Sequence, residues 1–202
     1  MTVPMALMDY CPVVIFLLSG ILLMRDLYHW MSKGNYAVFS AGIIIIFMAG
    51  FYKATWKLLY AANVCDFEAL NRSFFPMQST GFLLAGLGMM AMLRHRKEWL
   101  LTVPPVYSSP LLFILFMVAG TGMVWGGLAY IALRLKKKGT AALLALSFVC
   151  MLGMGYLSSK DFSNPNMNWI GQGVNLLGMV LLFISCRTLH KAGLARNPFE
   201  EE

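Results

Sequence analysis

The sequence predicts an all-α membrane protein, a bundle of six transmembrane helices, on three observations. Hydrophobic residues fill 59% of 202 positions and charged residues only 12%, against roughly 45–50% and about 25% in an average soluble domain. The apolar excess lies in long blocks of about 20 residues, the length a helix needs to cross a bilayer. Between the blocks stand Lys, Arg, Trp and Tyr, the residues of a chain passing through headgroups. One transmembrane domain covering 1–202 is therefore expected.

The first span is expected at 6–24, with Pro12 in its first turn, where a missing N–H costs little. No basic residue precedes its apolar run and no small-residue cleavage site follows, so it reads as a retained span and not a signal peptide. After the linker 25–35 comes a second span at 36–55, whose run of four Ile at 43–46 suits lipid or helix contact. Residues 53–81 form the longest polar interruption. Lys53, Trp56, Lys57 and Tyr60 are spaced i, i+3, i+4 and i+7, so a continuous helix would carry two ammonium groups and two rings on one face. Three readings of 56–73 stay open: a continuation of span two, an interfacial amphipathic helix, or a loop. Pro76 predicts a start or kink for span three, 73–93, with Gln78, Ser79 and Thr80 just inside it.

The prolines and serines of 100–110 predict a connection on the membrane surface. Span four (110–133) contains Gly122-x-x-x-Gly126, a spacing that lets two helices approach, either within the bundle or in a homodimer. A basic turn leads into span five (140–157), and span six (167–186) opens near Asn168 and Trp169. Two halves, 1–93 and 110–187, are compatible with a 3+3 inverted repeat in which Gln78 aligns with Gln172. Under this plan Lys and Arg predominate on the side of both termini, which predicts cytoplasmic termini in a bacterial inner membrane. Arg94, Arg96 and Lys97 oppose that count, because span four separates them from Arg134 and Lys136–Lys138.

The net charge of +7 sits at the ends of apolar blocks, not on one soluble face, so no nucleic-acid partner is expected. Cys11, Cys65, Cys150 and Cys186 have no ligand spacing, and the methionines do not cluster, so neither metal nor cofactor is expected. His29, His95 and His190 fall in connections or at the tail, and no hydrolase or phosphate-loop motif occurs. A lipid-directed enzyme would have to use Asp66 or Asp161 as base. Polar groups at membrane depth pair with one another or line a wet cavity. Gln78, Thr80, Gln172 and Asn175 are such groups, with Lys53 and Lys57 as a charged rim and Trp56, Tyr60 and Trp169 as a cap. The leading expectation is binding and transport of a small polar or amphipathic solute. The alternatives are a membrane-embedded sensor or assembly subunit working through a partner protein, and the lipid-directed enzyme.

Overall fold

The computed structural model describes residues 2–94, 110–158 and 165–195, all in helices and turns. The helices are α1 (Val3–Met8), α2 (Tyr10–Leu27), α3 (Lys33–Ala61), α4 (Glu68–Leu93), α5 (Pro110–Arg134), α6 (Lys138–Ser158) and α7 (Pro165–Lys191). The first two form one apolar rod, Val3–Leu27, interrupted at Asp9. Pro12 accounts for the interruption, since it has no N–H to offer the carbonyl of Met8. Among the described residues, that rod, α3, α5 and α7 are the four helices long and apolar enough to cross a membrane. The chain is thus an integral membrane protein by the character of its helices. The apolar stretch of α6 is shorter, and α4 opens with the polar residues Glu68, Asn71 and Arg72.

Residues 56–73 divide between two elements. Helix α3 continues to Ala61 and ends on Asn63, whose φ of 53° lets Val64 N–H reach the Leu59 carbonyl at 3.1 Å. Asn tolerates this left-handed conformation better than most residues. Helix α4 starts at Glu68, eight residues before Pro76, so the proline lies inside the helix and does not open it.

The long helices form a closed ring, each packing chiefly on its chain neighbours and α2 on α7. Glycines set the closest approaches. A Cβ on Gly42 of α3 would lie 2.4 Å from the Ala85 backbone nitrogen of α4, and one on Gly120 of α5 would lie 2.3 Å from the Phe82 backbone. Close packing on α5 therefore falls to Gly120 and, against Met89, to Gly127. Gly122 has only Phe148 nearby, at 3.9 Å, and Gly126 has nothing within 4 Å.

Paired contacts fix the direction of each helix. Gly42 meets Ala85 and Gly88 meets Phe39, so α3 and α4 are antiparallel. Phe75 meets Phe113, Phe82 meets Gly120 and Met89 meets Gly127, so α4 and α5 run the same way. Gln172 bonds to Met5 and His190 to Asp26, so α7 runs parallel to α2. The two halves consequently have the same direction, and Thr2 and Leu194 lie at opposite ends of the bundle. An inverted repeat and two termini on one side both require the connection between α4 and α5 to reverse the chain. Here Arg94 and Pro110 lie at opposite ends, and residues 95–109 lie outside the described set. The same correction removes the conflict in the charge count. Among the described residues, Arg25, Lys33, Arg94, Arg134, Lys136, Lys137, Lys138, Arg187 and Lys191 belong to one end, and Lys53, Lys57 and Arg72 to the other.

The glycine contacts predict that Gly120→Val destabilises the protein by about 1–3 kcal/mol or more through overpacking against backbone that cannot yield. Gly126→Val, with open space to fill, should leave unfolding in mild detergent nearly unchanged. Equal thermal stability of the two variants would contradict the close α4–α5 approach.

Candidate functional site

A cavity of about 120 Å³ lies within the ring at the end holding Asp9, with walls from α2, α3, α4, α6 and α7. Helical rise orders its lining from mouth to floor. Asp9, Lys57 and Lys53 stand at the mouth. Val13, Gly50, Phe74, Gln78 and Asn175 line the middle, and Phe16, Ile46, Phe82 and Met179 make the floor. Beyond them a void of about 10 Å³, with an apolar surface, shares Phe16, Ile46 and Phe82, so these three side chains are the partition between the cavity and the rest of the core. Phe82 is held against Trp125 of α5, and Trp125 Nε1–H donates to Ser147 Oγ, which donates to the Gly178 carbonyl. The floor is therefore tied into α5, α6 and α7.

The break at Asp9 gives the cavity its carboxylate. With the rod interrupted there, Asp9 faces Lys57 at 2.5 Å, both side chains less than a fifth exposed. Tyr10 bonds to Thr55 one turn away at 2.9 Å and fixes the register of α2 on α3. Lys53, one turn deeper on α3, lies 4.0 Å over the Phe74 ring. A half-buried ammonium against an aromatic face gains on the order of 0.5–2 kcal/mol. Its hydrogen-bond donors point to no carboxylate among the described residues.

Of the residues expected at a solute site, Gln78, Asn175, Lys53 and Lys57 converge on this cavity. The others do not. Gln172 shares the inward face of α7 with Asn175 but lies a turn away, where its Nε2 donates to the Met5 carbonyl at 3.0 Å and joins α7 to α1. Thr80 is not in the lining, and the fully buried hydroxyl of that turn is Ser79, which donates to the Pro76 carbonyl. Trp56 and Tyr60 stack on each other outside the cavity, and Trp56 donates to Asp66. Trp169 is exposed on α7. As for the two carboxylates weighed for catalysis, Asp66 sits exposed in the turn before α4 and is not in the cavity lining, and Asp161 lies outside the described residues. Among the described residues no three His, Cys, Asp or Glu side chains could share a metal ion.

Sequence reasoning missed a second polar cluster at the opposite end. Asp26 is 1% exposed, and its carboxylate oxygens lie 2.9 and 3.0 Å from His190 Nδ1. A carboxylate oxygen accepts, so Nδ1 donates to Asp26, and Arg25 Nη2 lies 3.1 and 3.0 Å from the two ring nitrogens of His190. The pair closes the seam of the ring between α2 and α7. The sequence did hold a signal for it: Phe16, Ser19, Leu23 and Asp26 recur at three- and four-residue intervals, which puts Asp26 on the buried face of α2.

Compared with protein-family models, with curated proteins and with solved structures, the chain matches none. Function is therefore read from the chemistry of the site.

A carboxylate this buried is costly without its partner, and a hydrogen bond to a charged group contributes roughly 1.5–3 kcal/mol. Asp26→Leu alone should be strongly destabilising in a thermal scan, whereas Asp26→Leu with His190→Leu should recover about 1–2 kcal/mol of that loss. Strict additivity of the two substitutions would show that the pair does not hold the seam.

Proposed function

We propose that the chain is a protein of the bacterial cytoplasmic membrane, built on six long helical rods, that binds, and passes across the bilayer, a small amphipathic solute. The observation that carries this reading is the convergence of Lys53, Lys57, Gln78 and Asn175, with Asp9, on one cavity whose remaining walls are apolar. Ligand sites of small molecules are of this kind, mostly apolar with a few convergent polar groups. Gln78 and Asn175 make no hydrogen bond to any described residue, so their amides are available to a guest. The partition of Phe16, Ile46 and Phe82 closes the cavity on one side, as a binding site accessible from one face of the membrane requires.

The orientation follows from charge. Basic residues favour the cytoplasmic side, and nine described Lys and Arg residues belong to the end that carries Arg25, Arg94, Arg134 and Lys191, against three at the cavity end. The cavity then opens away from the cytoplasm, with the N-terminus outside and the C-terminus inside. The halves α2–α4 and α5–α7 are read as parallel repeats, for the contact of α2 with α7 has its counterpart in that of α5 with α4. Binding sites at the interface of such halves are common in transporters, and Gln78 and Asn175 come from corresponding helices of the two.

Native mass spectrometry in mild detergent tests the site. A bound small molecule is expected on the wild-type protein and its loss on Gln78→Leu with Asn175→Leu; unchanged retention by the folded variant would exclude these residues from the site. Cys65, exposed in the turn between α3 and α4, tests the orientation in a Cys11→Ser background. A membrane-impermeant maleimide should label it in intact spheroplasts. Labelling only after lysis would reverse the assignment.

A further inference from the structure

We infer that the guest of the cavity is an organic monoanion, a carboxylate carried on a compact apolar body, with its charge at Lys53. The inference rests on the reading of the cavity as a solute site and adds the chemical class of the solute. Charge decides it first. Two ammonium groups, Lys53 and Lys57, share the single carboxylate of Asp9, which lies 2.5 Å from Lys57, while Lys53 lies over the ring of Phe74. One positive charge is left over at the mouth. A cation would be repelled by it, and a neutral guest would leave its donors without a charged acceptor in a poorly solvated place. A monoanion meets both needs, and its hydrogen bonds to an ammonium would be of the charge-assisted kind.

Size and lining decide the rest. The volume of about 120 Å³ is somewhat below the roughly 150 Å³ of an apolar protein cavity that holds benzene. With its carboxylate at the mouth, a guest has room inside for a body of about that size between Val13, Phe47 and Met154. Below Lys53 the amide nitrogens of Gln78 and Asn175 are the polar donors in the wall, suited to a second carboxylate oxygen. Two sources share this chemistry: a free small carboxylate, and a fatty acid whose longer chain leaves the cavity towards lipid.

The test uses the full-length protein in mild detergent, with benzoate, benzyl alcohol, benzylamine and decanoate as probes, read by ligand titration and thermal shift. Benzoate is expected to bind tighter than benzyl alcohol and benzylamine to fail. Lys53→Met should weaken benzoate by about tenfold or more, and Lys53→Arg should retain it. The response of Lys53→Met to benzyl alcohol should match that of the wild type, which reports an intact cavity. Benzoate tighter than decanoate points to a free small carboxylate, and the reverse order to a fatty acid. Binding of benzyl alcohol or benzylamine as tight as that of benzoate, or benzoate binding indifferent to Lys53→Met, would overturn the anion assignment and leave the solute site standing. If none of the four probes binds, both fall.

Discussion

The close, parallel packing of α4 on α5 is the constraint on which the rest of the structure depends. Gly120 sits against the backbone at Phe82, Gly86 against Gly120 and Met123, and Gly127 against Met89. Side chains at these positions would push the helices apart. Because the two helices run the same way, α5, α6 and α7 repeat the directions of α2, α3 and α4. Helix α7 then arrives beside α2 in parallel and closes the ring. An antiparallel α5 would have turned α6 and α7 over, and neither Gln172 with Met5 nor His190 with Asp26 would meet.

The ring divides its polar groups between two ends with an apolar middle. One end has an open cavity with Asp9, Lys53 and Lys57; the other has Asp26 sealed by His190 and Arg25. Between them stand Phe16, Phe82 and Leu23, each largely or fully buried. In a low-dielectric interior an unpaired charge is expensive, so the two clusters are built differently. Asp26 has a full set of partners and serves to join helices. Lys53 lies over an aromatic face, beside the pair that Asp9 makes with Lys57.

Much of this was legible in the sequence. Long apolar helices were expected because apolar length and flanking charge are local properties, and four of the described helices are long and apolar enough to cross a membrane. Gln78, Asn175, Lys53 and Lys57, which line one cavity, stood out because they are polar side chains against an apolar background. Gln172 looked equivalent to Asn175, being three residues away on the same face, yet one turn of rise brings it to the Met5 carbonyl and not to the cavity. Trp56 and Tyr60 had the right spacing to cap a site but turned to Asp66, a partner in the following turn. Asp26 was overlooked beside Arg25, although its place on the buried face of α2 follows from periodicity.

By itself the sequence determined that the chain is helical and that it suits lipid, since hydropathy acts over a few turns. Only the tertiary structure decided the direction of α5 relative to α4, and with it the ends to which the termini and basic residues belong. That choice depends on which glycine faces which backbone across two helices, a relation between distant residues that no local pattern records. The cavity is of the same nature. Asp9, Lys53, Gln78 and Asn175 come from four different stretches of chain, and ring closure alone brings them to one place.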